Sequence, residues 1–348
     1  MAVEALLIEK KRLAPARFAA VTTAMIIILI VGACLLPHSR YIRFTNAHEP
    51  VLHKEGWIYQ RLHHDPTPVD VVFIGSSHTI WGIDAEQVEV SATETSGGPI
   101  HIANLAVIHP GRDMDYLIAR EALENKHPHL LLIEVQADEP RASHIAFYRF
   151  ADARDILAAP MIINTHYFYN LLRLPSRQVS LFYQTLAPAL FGDSAEFDLT
   201  GYRGTHWHDT LAELGVRSPA TVTTSQLQLE DELQHFKAYA ASKIYLPQPL
   251  EPLEYRVSLI YLNQIIALAN AKNVPIRFLY VPGWRQPTTP NFAPLYLEHA
   301  PIWIAPDIFK RTDVWRDVNH LNDNGRLALS KWVGRKIGDR WLDAKAAK

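Results

Sequence analysis

The strongest constraint on the fold is the short run His129–Val135, in which Glu134 interrupts an otherwise apolar stretch. A strand with one solvated face alternates polar and apolar residues, whereas a strand covered on both faces is apolar almost throughout. Three further runs are predicted as strands, namely Val69–Gly75, Pro99–Leu105 and Pro275–Val281. We therefore expect a sheet that is buried between two layers of helices.

Helical patterns separate these strands, at Met114–Asn125, Arg256–Ala271 and Asn324–Ile337. Strands that alternate with helices are typical of a parallel sheet. The sequence thus predicts an α/β domain over residues 69–338, a three-layer sandwich with a mainly parallel sheet. Residues 139–250 break the alternation and are predicted to be an insertion that forms a cap or substrate-binding region. Residues 37–68 are predicted as a connector and residues 339–348 as a C-terminal tail.

The N-terminal part contains 19 consecutive residues without a charge, Phe18–Leu36. A helix of this length just spans a bilayer core of roughly 30 Å, and the run is long for a cleaved signal peptide. Basic residues at Lys10–Arg12 and Arg17 precede it, which favours a cytoplasmic N-terminus. We predict a single-pass protein with residues 1–17 in the cytoplasm, residues 18–36 in the membrane and the large domain outside, in the periplasm.

Two alternatives for this segment remain open. Val31–Cys34 loosely resembles a lipoprotein processing site, in which case Cys34 would carry lipid, and a cleaved signal is the other alternative. All of these place the domain outside the cytoplasm. Cys34 is the single cysteine, which excludes an intramolecular disulfide and a cysteine-based metal site.

Charge and histidine spacing exclude further classes of function. The net charge is −2, whereas nucleic-acid binding requires a concentrated basic surface. The chain has 17 histidines, but pairs such as His206 and His208 lack the helical spacing of metal ligands. We expect no nucleic-acid partner, no metal and no cofactor.

The first motif that carries chemistry is Gly75-Ser76-Ser77, at the end of the first predicted strand. Ligands bind at the carboxyl ends of parallel strands, and a turn into a helix offers free backbone N–H groups there. A serine at this place is suited to nucleophilic attack. The alternative is an ordinary turn in which Ser76 or Ser77 caps the helix.

The second motif is Asp317-Val-Asn-His320, in the loop before the last predicted helix. A serine hydroxyl needs a base to take its proton, and the base needs a carboxylate that orients it. His320 and Asp317 can fill these roles, and His320 is preferred over His78, because a neighbour of the serine on a turn usually points away. The alternative is that Asp317 caps a turn and His320 is a surface residue.

Together the two motifs resemble the SGNH/GDSL hydrolase superfamily, over residues 69–135 and 255–338. Gly75-Ser76-Ser77 matches the Gly-Asp-Ser of that family, and serine in the middle place resembles its membrane-anchored D-alanyl-transfer and polysaccharide acyl-transfer relatives. The resemblance implies a flavodoxin-like SGNH hydrolase fold. It also implies Ser77 as nucleophile, with His320 and Asp317 as its acid–base partners.

The resemblance further implies an oxyanion hole of three donors: the N–H of Ser77, the N–H of Gly111 and an asparagine side chain after the third strand. The sequence departs from the family at the third donor. No asparagine follows that strand, so Gln136 is the candidate, since the neighbouring Glu134 cannot donate while ionised. This departure leaves open a specialised enzyme or a non-catalytic relative.

Three residues are candidates for substrate binding, namely Asn104, Arg141 and His144. Arg141 and His144 follow the third strand and would suit an anionic or sugar substrate, although a polar loop without a ligand explains them as well. Tryptophans could stack on sugar rings or belong to the core; they are Trp207, Trp284, Trp303 and Trp315.

These features predict an extracytoplasmic serine-dependent ester hydrolase or O-acyltransferase that acts on acyl groups of an envelope polysaccharide or glycan. Its expected partners are the membrane, an acylated glycan or other ester substrate, and a membrane acyl-donor protein. A lipid or small-ester esterase and a non-catalytic envelope assembly protein are the alternatives.

Overall fold

The computed structural model describes residues 2–46, 49, 52–192, 194, 196–208 and 223–346, and a five-stranded parallel sheet lies at its centre. The spatial order of the strands is β2-β1-β3-β4-β5, and every neighbouring pair is parallel. Phe73 lies opposite Asn104 on one side and Leu132 on the other. The strands are β1 (Val71–Ile74), β2 (Ile102–Asn104), β3 (Leu130–Val135), β4 (Ile276–Tyr280) and β5 (Ile302–Trp303).

The α-helices of the described residues follow in chain order: α1 (Ala2–Cys34), α2 (Arg40–Thr45), α3 (His53–His63), α4 (Ser77–Gly82), α5 (Ala85–Ser96), α6 (Arg112–Asn125), α7 (Phe147–Phe150), α8 (Ala153–Ala158), α9 (Tyr167–Leu186), α10 (Gln226–Ser242), α11 (Glu251–Glu254), α12 (Arg256–Ala271), α13 (Ala293–Leu297), α14 (Pro306–Phe309) and α15 (Asp323–Ala346). Short 3₁₀ turns occupy Pro188–Phe191, Leu199–Gly201 and Gln248–Leu250.

Each face of the sheet has its own apolar core, because successive side chains of a strand point to opposite faces. Val71 and Phe73 of β1 pack with residues of α5 and α15. Val72 and Ile74 of the same strand pack with residues of α6 and α12. The prediction of an α/β domain with helices on both sides of a parallel sheet is confirmed.

The predicted connector differs from the structure. Within residues 37–68 the chain forms α2 and α3, and Trp57, Ile58 and Leu62 join the core beside α6. Buried Arg61 donates to the carbonyls of Thr67 and Pro68 (both 2.8 Å) and so fixes the chain where it enters β1. The segment is polar in composition, yet most of α3 is buried, including its charged residues Lys54, Glu55 and Arg61. Residues 47, 48, 50 and 51 lie outside the described residues.

The predicted insertion, residues 139–250, contains α7 to α10 and packs beside the sheet without adding a strand in its described part. Its residues 193, 195 and 209–222 lie outside the described residues, as do residues 1, 347 and 348 of the two predicted termini. The crossover helix α12 follows it and returns the chain to β4.

One helix is long and apolar enough to cross a membrane. The relevant part of α1 is Pro15–Cys34, with a mean hydropathy of 2.1, and none of it is buried inside the protein. A core helix of a soluble protein would be covered by other elements, whereas a signal sequence would share these properties.

The strand order determines where a ligand site forms. From β1 the chain continues to β2 on one side of β1, and then crosses to β3 on the opposite side. The direction in which strands are added to the sheet therefore reverses between β1 and β3. In open α/β sheets, clefts open at the carboxyl ends of the strands that flank such a reversal. The loops after β1 and β3 therefore meet at the edge that carries the serine motif.

Candidate functional site

The turn after β1 presents Ser77 at the first position of α4. Ser76 is the N-cap, and its hydroxyl accepts a hydrogen bond from the N–H of His78. Gly75 allows the turn to pass close to β3, because a Cβ atom at this position would lie 2.4 Å from Cβ of Glu134. Ser77 itself is half-buried, so its hydroxyl can be reached from the sheet edge.

The structure brings Ser77, His320 and Asp317 together, although Ser77 and His320 are 243 positions apart in the chain. The Nε2 atom of His320 lies 2.9 Å from Oγ of Ser77. Its Nδ1 atom lies 2.9 and 3.0 Å from the two carboxylate oxygens of Asp317. An imidazole with its proton on Nδ1 would donate to Asp317 and accept the proton of the serine hydroxyl, as a general base requires.

Backbone groups hold Asp317 in place for this contact. The N–H groups of Asn319 and His320 both donate to Oδ1 of Asp317 at 2.9 Å. Arg316 forms a 3.1 Å ion pair with the same carboxylate, and its guanidinium lies over the ring of Trp81. Burial alone would raise the pKa of Asp317, but the hydrogen bond and charge of His320 and the N–H of Asn319 bring it well below its usual range.

The pKa of His320 is lowered, first because burial disfavours the imidazolium. Asp317 opposes this effect through its hydrogen bond and charge, while His78 and Arg316 add to it. His320 is therefore neutral at neutral pH, which is the form that can accept a proton from Ser77.

Glu134 is the important residue that the sequence analysis did not identify. Its buried carboxylate accepts from the N–H and hydroxyl of Ser76 (2.8 and 2.6 Å), from the N–H and hydroxyl of Thr79 (3.0 and 2.6 Å), and from the amide of Gln136 (3.1 Å). Burial alone would raise the pKa of Glu134, but the nearby charge of His78 and these hydrogen bonds lower it. An ionised Glu134 thus fixes the chain on both sides of Ser77, through Ser76 before it and Thr79 after it.

The three candidate oxyanion donors lie on neighbouring loops. The N–H of Ser77 belongs to the first residue of α4 and is not needed within that helix. Gly111 is the N-cap of α6, and a Cβ atom there would lie 2.4 Å from Cβ of His144, so only glycine fits. Gln136 uses one amide hydrogen for Glu134 and keeps a second one for another acceptor.

A cavity of about 560 Å³ opens beside this group. His78 and Asn319, the chain neighbours of Ser77 and His320, form part of its wall. The loop after β3 supplies Gln136, and the insertion supplies Arg141 and Lys243. The predicted role of the insertion as a cap or binding region remains a prediction, and its position on the cavity is consistent with it.

Asn104 and His144 do not take the places expected of substrate-binding residues. Asn104 donates from its amide to the carbonyls of Thr79 (3.2 Å) and Ile83 (3.0 Å) and accepts from the N–H of Ala106 (3.2 Å). His144 is only 1% exposed, and both of its ring nitrogens have backbone partners, 2.6 Å from the carbonyl of Ile108 and 3.1 Å from the N–H of Ala146. Burial lowers the pKa of His144 to about 4. Both side chains therefore position loops of the site instead of facing a ligand.

Arg141 does lie in the cavity wall. Its guanidinium forms an ion pair with Glu254, donates to the carbonyl of Ile244 at 2.8 Å and lies over the ring of Tyr245, 4.9 Å from its centroid. His78 lies there too, with Nδ1 2.9 Å from the carbonyl of Val281, so its ring is tied to the sheet and not to the serine.

Two of the tryptophans considered for sugar stacking, Trp284 and Trp315, are buried in the core on the α5–α15 side of the sheet. Trp207 and Trp303 are half-buried, and neither lines the cavity beside Ser77. Within the part of the chain that the structure describes, no group of three or more His, Cys, Asp or Glu residues could hold a metal ion.

Comparison with known proteins assigns no relationship, since no protein-family model and no curated protein matches the sequence.

Proposed function

We propose that this protein is a membrane-anchored serine-dependent ester hydrolase or O-acyltransferase of the SGNH type. The observation that carries the proposal is the 2.9 Å contact between Nε2 of His320 and Oγ of Ser77, with Asp317 on the opposite nitrogen. The strand order 2-1-3-4-5 and the position of the serine after β1 support the SGNH assignment.

In the proposed reaction, Oγ of Ser77 attacks the carbonyl carbon of an ester while His320 takes the hydroxyl proton. The negative charge on the carbonyl oxygen would be stabilised by the N–H groups of Ser77 and Gly111 and by the amide of Gln136. His320 then returns the proton to the departing alcohol, which leaves an acyl group on Ser77. Water or a sugar hydroxyl, deprotonated by His320, releases the acyl group and restores the serine.

The cavity wall carries polar side chains that suit a sugar, beside apolar surface that suits an acyl group. Arg141, Lys243 and Gln286 supply hydrogen-bond donors, and Tyr245 and Tyr255 supply aromatic surface. We propose an acylated glycan of the envelope as the substrate, with the domain outside the cytoplasm and a membrane acyl-donor protein as a partner for transfer. The apolar helix α1 supports the membrane anchor of this proposal.

Replacing Ser77 with alanine tests the proposal directly. The purified full-length protein is treated with a fluorescent fluorophosphonate, which forms a covalent bond with an activated serine. We expect labelling of the wild type and none of Ser77→Ala, because the hydroxyl that His320 activates is gone. The exposed Ser176→Ala variant is the matched control and should label like the wild type. A folded wild-type protein that does not label would exclude acyl-serine chemistry.

The pH dependence of labelling should reflect the low pKa of His320. Since the neutral imidazole is the base, the labelling rate falls as pH falls through this pKa, and the pKa lies below the ordinary histidine value. We expect the midpoint of this decline to lie below about pH 6.5, the ordinary histidine value. The measurement is the rate of fluorophosphonate labelling over pH 5–8 in buffers of constant ionic strength; a midpoint above pH 7 would contradict the electrostatic argument.

A further inference from the structure

A second cavity, of about 430 Å³, lies between α2, α7 and α9, away from Ser77. Four arginines form part of its wall, namely Arg43, Arg149, Arg173 and Arg177, and no carboxylate of the described residues lines it. The hydroxyls of Ser176 and Ser180 complete the polar part of the wall. Four guanidinium groups around one space form an unusually strong concentration of positive charge in a chain whose net charge is −2.

Two of these arginines, buried Arg43 and half-buried Arg177, are incompletely paired. Arg43 is 4% exposed and forms an ion pair with Asp152, yet its Nε atom has no hydrogen-bond partner among the described residues. The Nε atom of Arg177 is likewise buried and unpartnered there. Burial, followed by the charge of Arg43, lowers the pKa of Arg177 to about 10, so it is still protonated at neutral pH. Leaving a buried charged donor unpaired costs free energy, which an anion in the cavity would recover.

The two outer arginines are more accessible. Arg173 donates to the hydroxyl of Tyr148 at 3.0 Å and lies over the ring of Tyr169, while Arg149 pairs with Glu49 at the surface. Guanidinium groups bind phosphate through two parallel hydrogen bonds, and both side chains can move to an anion in the cavity mouth.

The cavity adjoins the end of the apolar helix α1. The amide of Gln178 in α9 donates to the carbonyl of Cys34 (3.2 Å), the last residue of α1, and the N–H of Ser39 donates to the hydroxyl of Thr185 (2.9 Å). If α1 lies in a bilayer, α9 lies at the bilayer surface.

The outer face of α9 is apolar and exposed. Phe168, Leu172, Tyr183 and Leu186 are 44% or more exposed, and their spacing places them on one side of the helix, next to the side that carries Arg173 and Arg177. An apolar stripe beside a row of cations is the pattern of a helix that lies in the lipid headgroup region.

We propose that the arginine cavity binds the phosphate of an anionic membrane lipid while the apolar face of α9 contacts the acyl chains. The inference rests on the membrane anchor of the proposed function and is independent of the chemistry at Ser77. Lipid is preferred to free phosphate as the source, because the cavity and the exposed apolar stripe lie side by side at the end of the anchor.

The test uses the full-length protein in non-ionic detergent and native mass spectrometry. Dioleoyl phosphatidylglycerol is the probe, dioleoylglycerol is the matched lipid without phosphate, and inorganic phosphate is the competitor. We expect binding of phosphatidylglycerol and much weaker binding of dioleoylglycerol. Arg149→Gln and Arg173→Gln should each weaken phosphatidylglycerol binding about fivefold. Both side chains are partly exposed, so the variants should fold, and Arg335→Gln, on the opposite side of the sheet, should bind like the wild type.

Each outcome decides the proposal. Equal binding of the two lipids, or unchanged binding by both cavity variants, would overturn it. Complete displacement of phosphatidylglycerol by an equal concentration of inorganic phosphate would assign the cavity to free phosphate instead. Fluorophosphonate labelling of the same samples reports on Ser77 separately, so loss of lipid binding with intact labelling counts against the lipid site alone.

Discussion

Replacing His320 with alanine is expected to slow acylation of Ser77 by about 10⁶-fold, since a serine without its base loses nearly all of its nucleophilic advantage. Asp317→Asn keeps the shape of the group but favours the wrong tautomer of His320, and we expect a loss of about 10⁴-fold. The measurement is the rate of fluorophosphonate labelling and of hydrolysis of a small chromogenic ester by the purified full-length protein. The acceptor oxygen, Oδ1, is held by two backbone N–H groups, so the asparagine variant should retain the loop.

The matched control for His320→Ala is His129→Ala. His129 precedes β3 at the opposite, amino-terminal edge of the sheet, and its side chain is 71% exposed. We expect its labelling rate to equal that of the wild type. Combining Ser77→Ala with His320→Ala should give no loss of ester hydrolysis beyond that of the more severe single change, because the two groups act as one unit. Losses that multiply would show that His320 acts on something other than Ser77.

Much of the central domain could be predicted because it depends on local patterns. The helix Arg256–Ala271 was predicted with the bounds that the structure gives, since its apolar face repeats regularly and Asn273 follows it. The parallel sheet followed from apolar strands that alternate with helices. Residues 37–68 were predicted as a connector and not as helices, because α2 and α3 bury charged as well as apolar residues, so their average composition is that of a loop.

The candidate site could be predicted only in part from the sequence. The two motifs could be paired because Ser77 follows a recognisable strand and His320 precedes a recognisable helix. Both positions were expected at the same edge of the sheet. Glu134 could not be recognised, because its function depends on hydrogen bonds from Ser76 and Thr79, which follow β1, to a residue of the neighbouring strand β3. A charged residue inside an apolar strand was the available signal, since a buried carboxylate requires several donors. The contacts of Asn104 and His144 could not be predicted for the converse reason: their partners are backbone groups, which no sequence pattern reports.

Glu134→Ala is expected to have the second largest effect, on stability and on the site together. The change leaves donors of Ser76 and Thr79 buried without an acceptor, and we expect a loss of at least about 3 kcal/mol in the free energy of unfolding, measured by urea denaturation. It also releases the turn before Ser77, and a displacement of about 1 Å would reduce labelling about 10²-fold in protein that is still folded. Glu134→Gln keeps one oxygen for Ser76 and Thr79, so it should recover most of the labelling rate.

A matched control separates positioning from general stability. Glu121 is also buried, pairs with Arg40 and His63, and lies on α6 away from the serine. Glu121→Ala should lose stability while its folded fraction labels at the wild-type rate; equal labelling losses in the two alanine variants would reduce Glu134 to a structural residue.

The pH dependence of the free energy of unfolding should distinguish the wild type from Glu134→Gln. The folded pKa of Glu134 is lowered, so the unfolded chain binds its proton first and wild-type stability falls as pH drops below the ordinary value of about 4.3. Glu134→Gln has no such proton to bind, and its stability should fall less steeply over the same range.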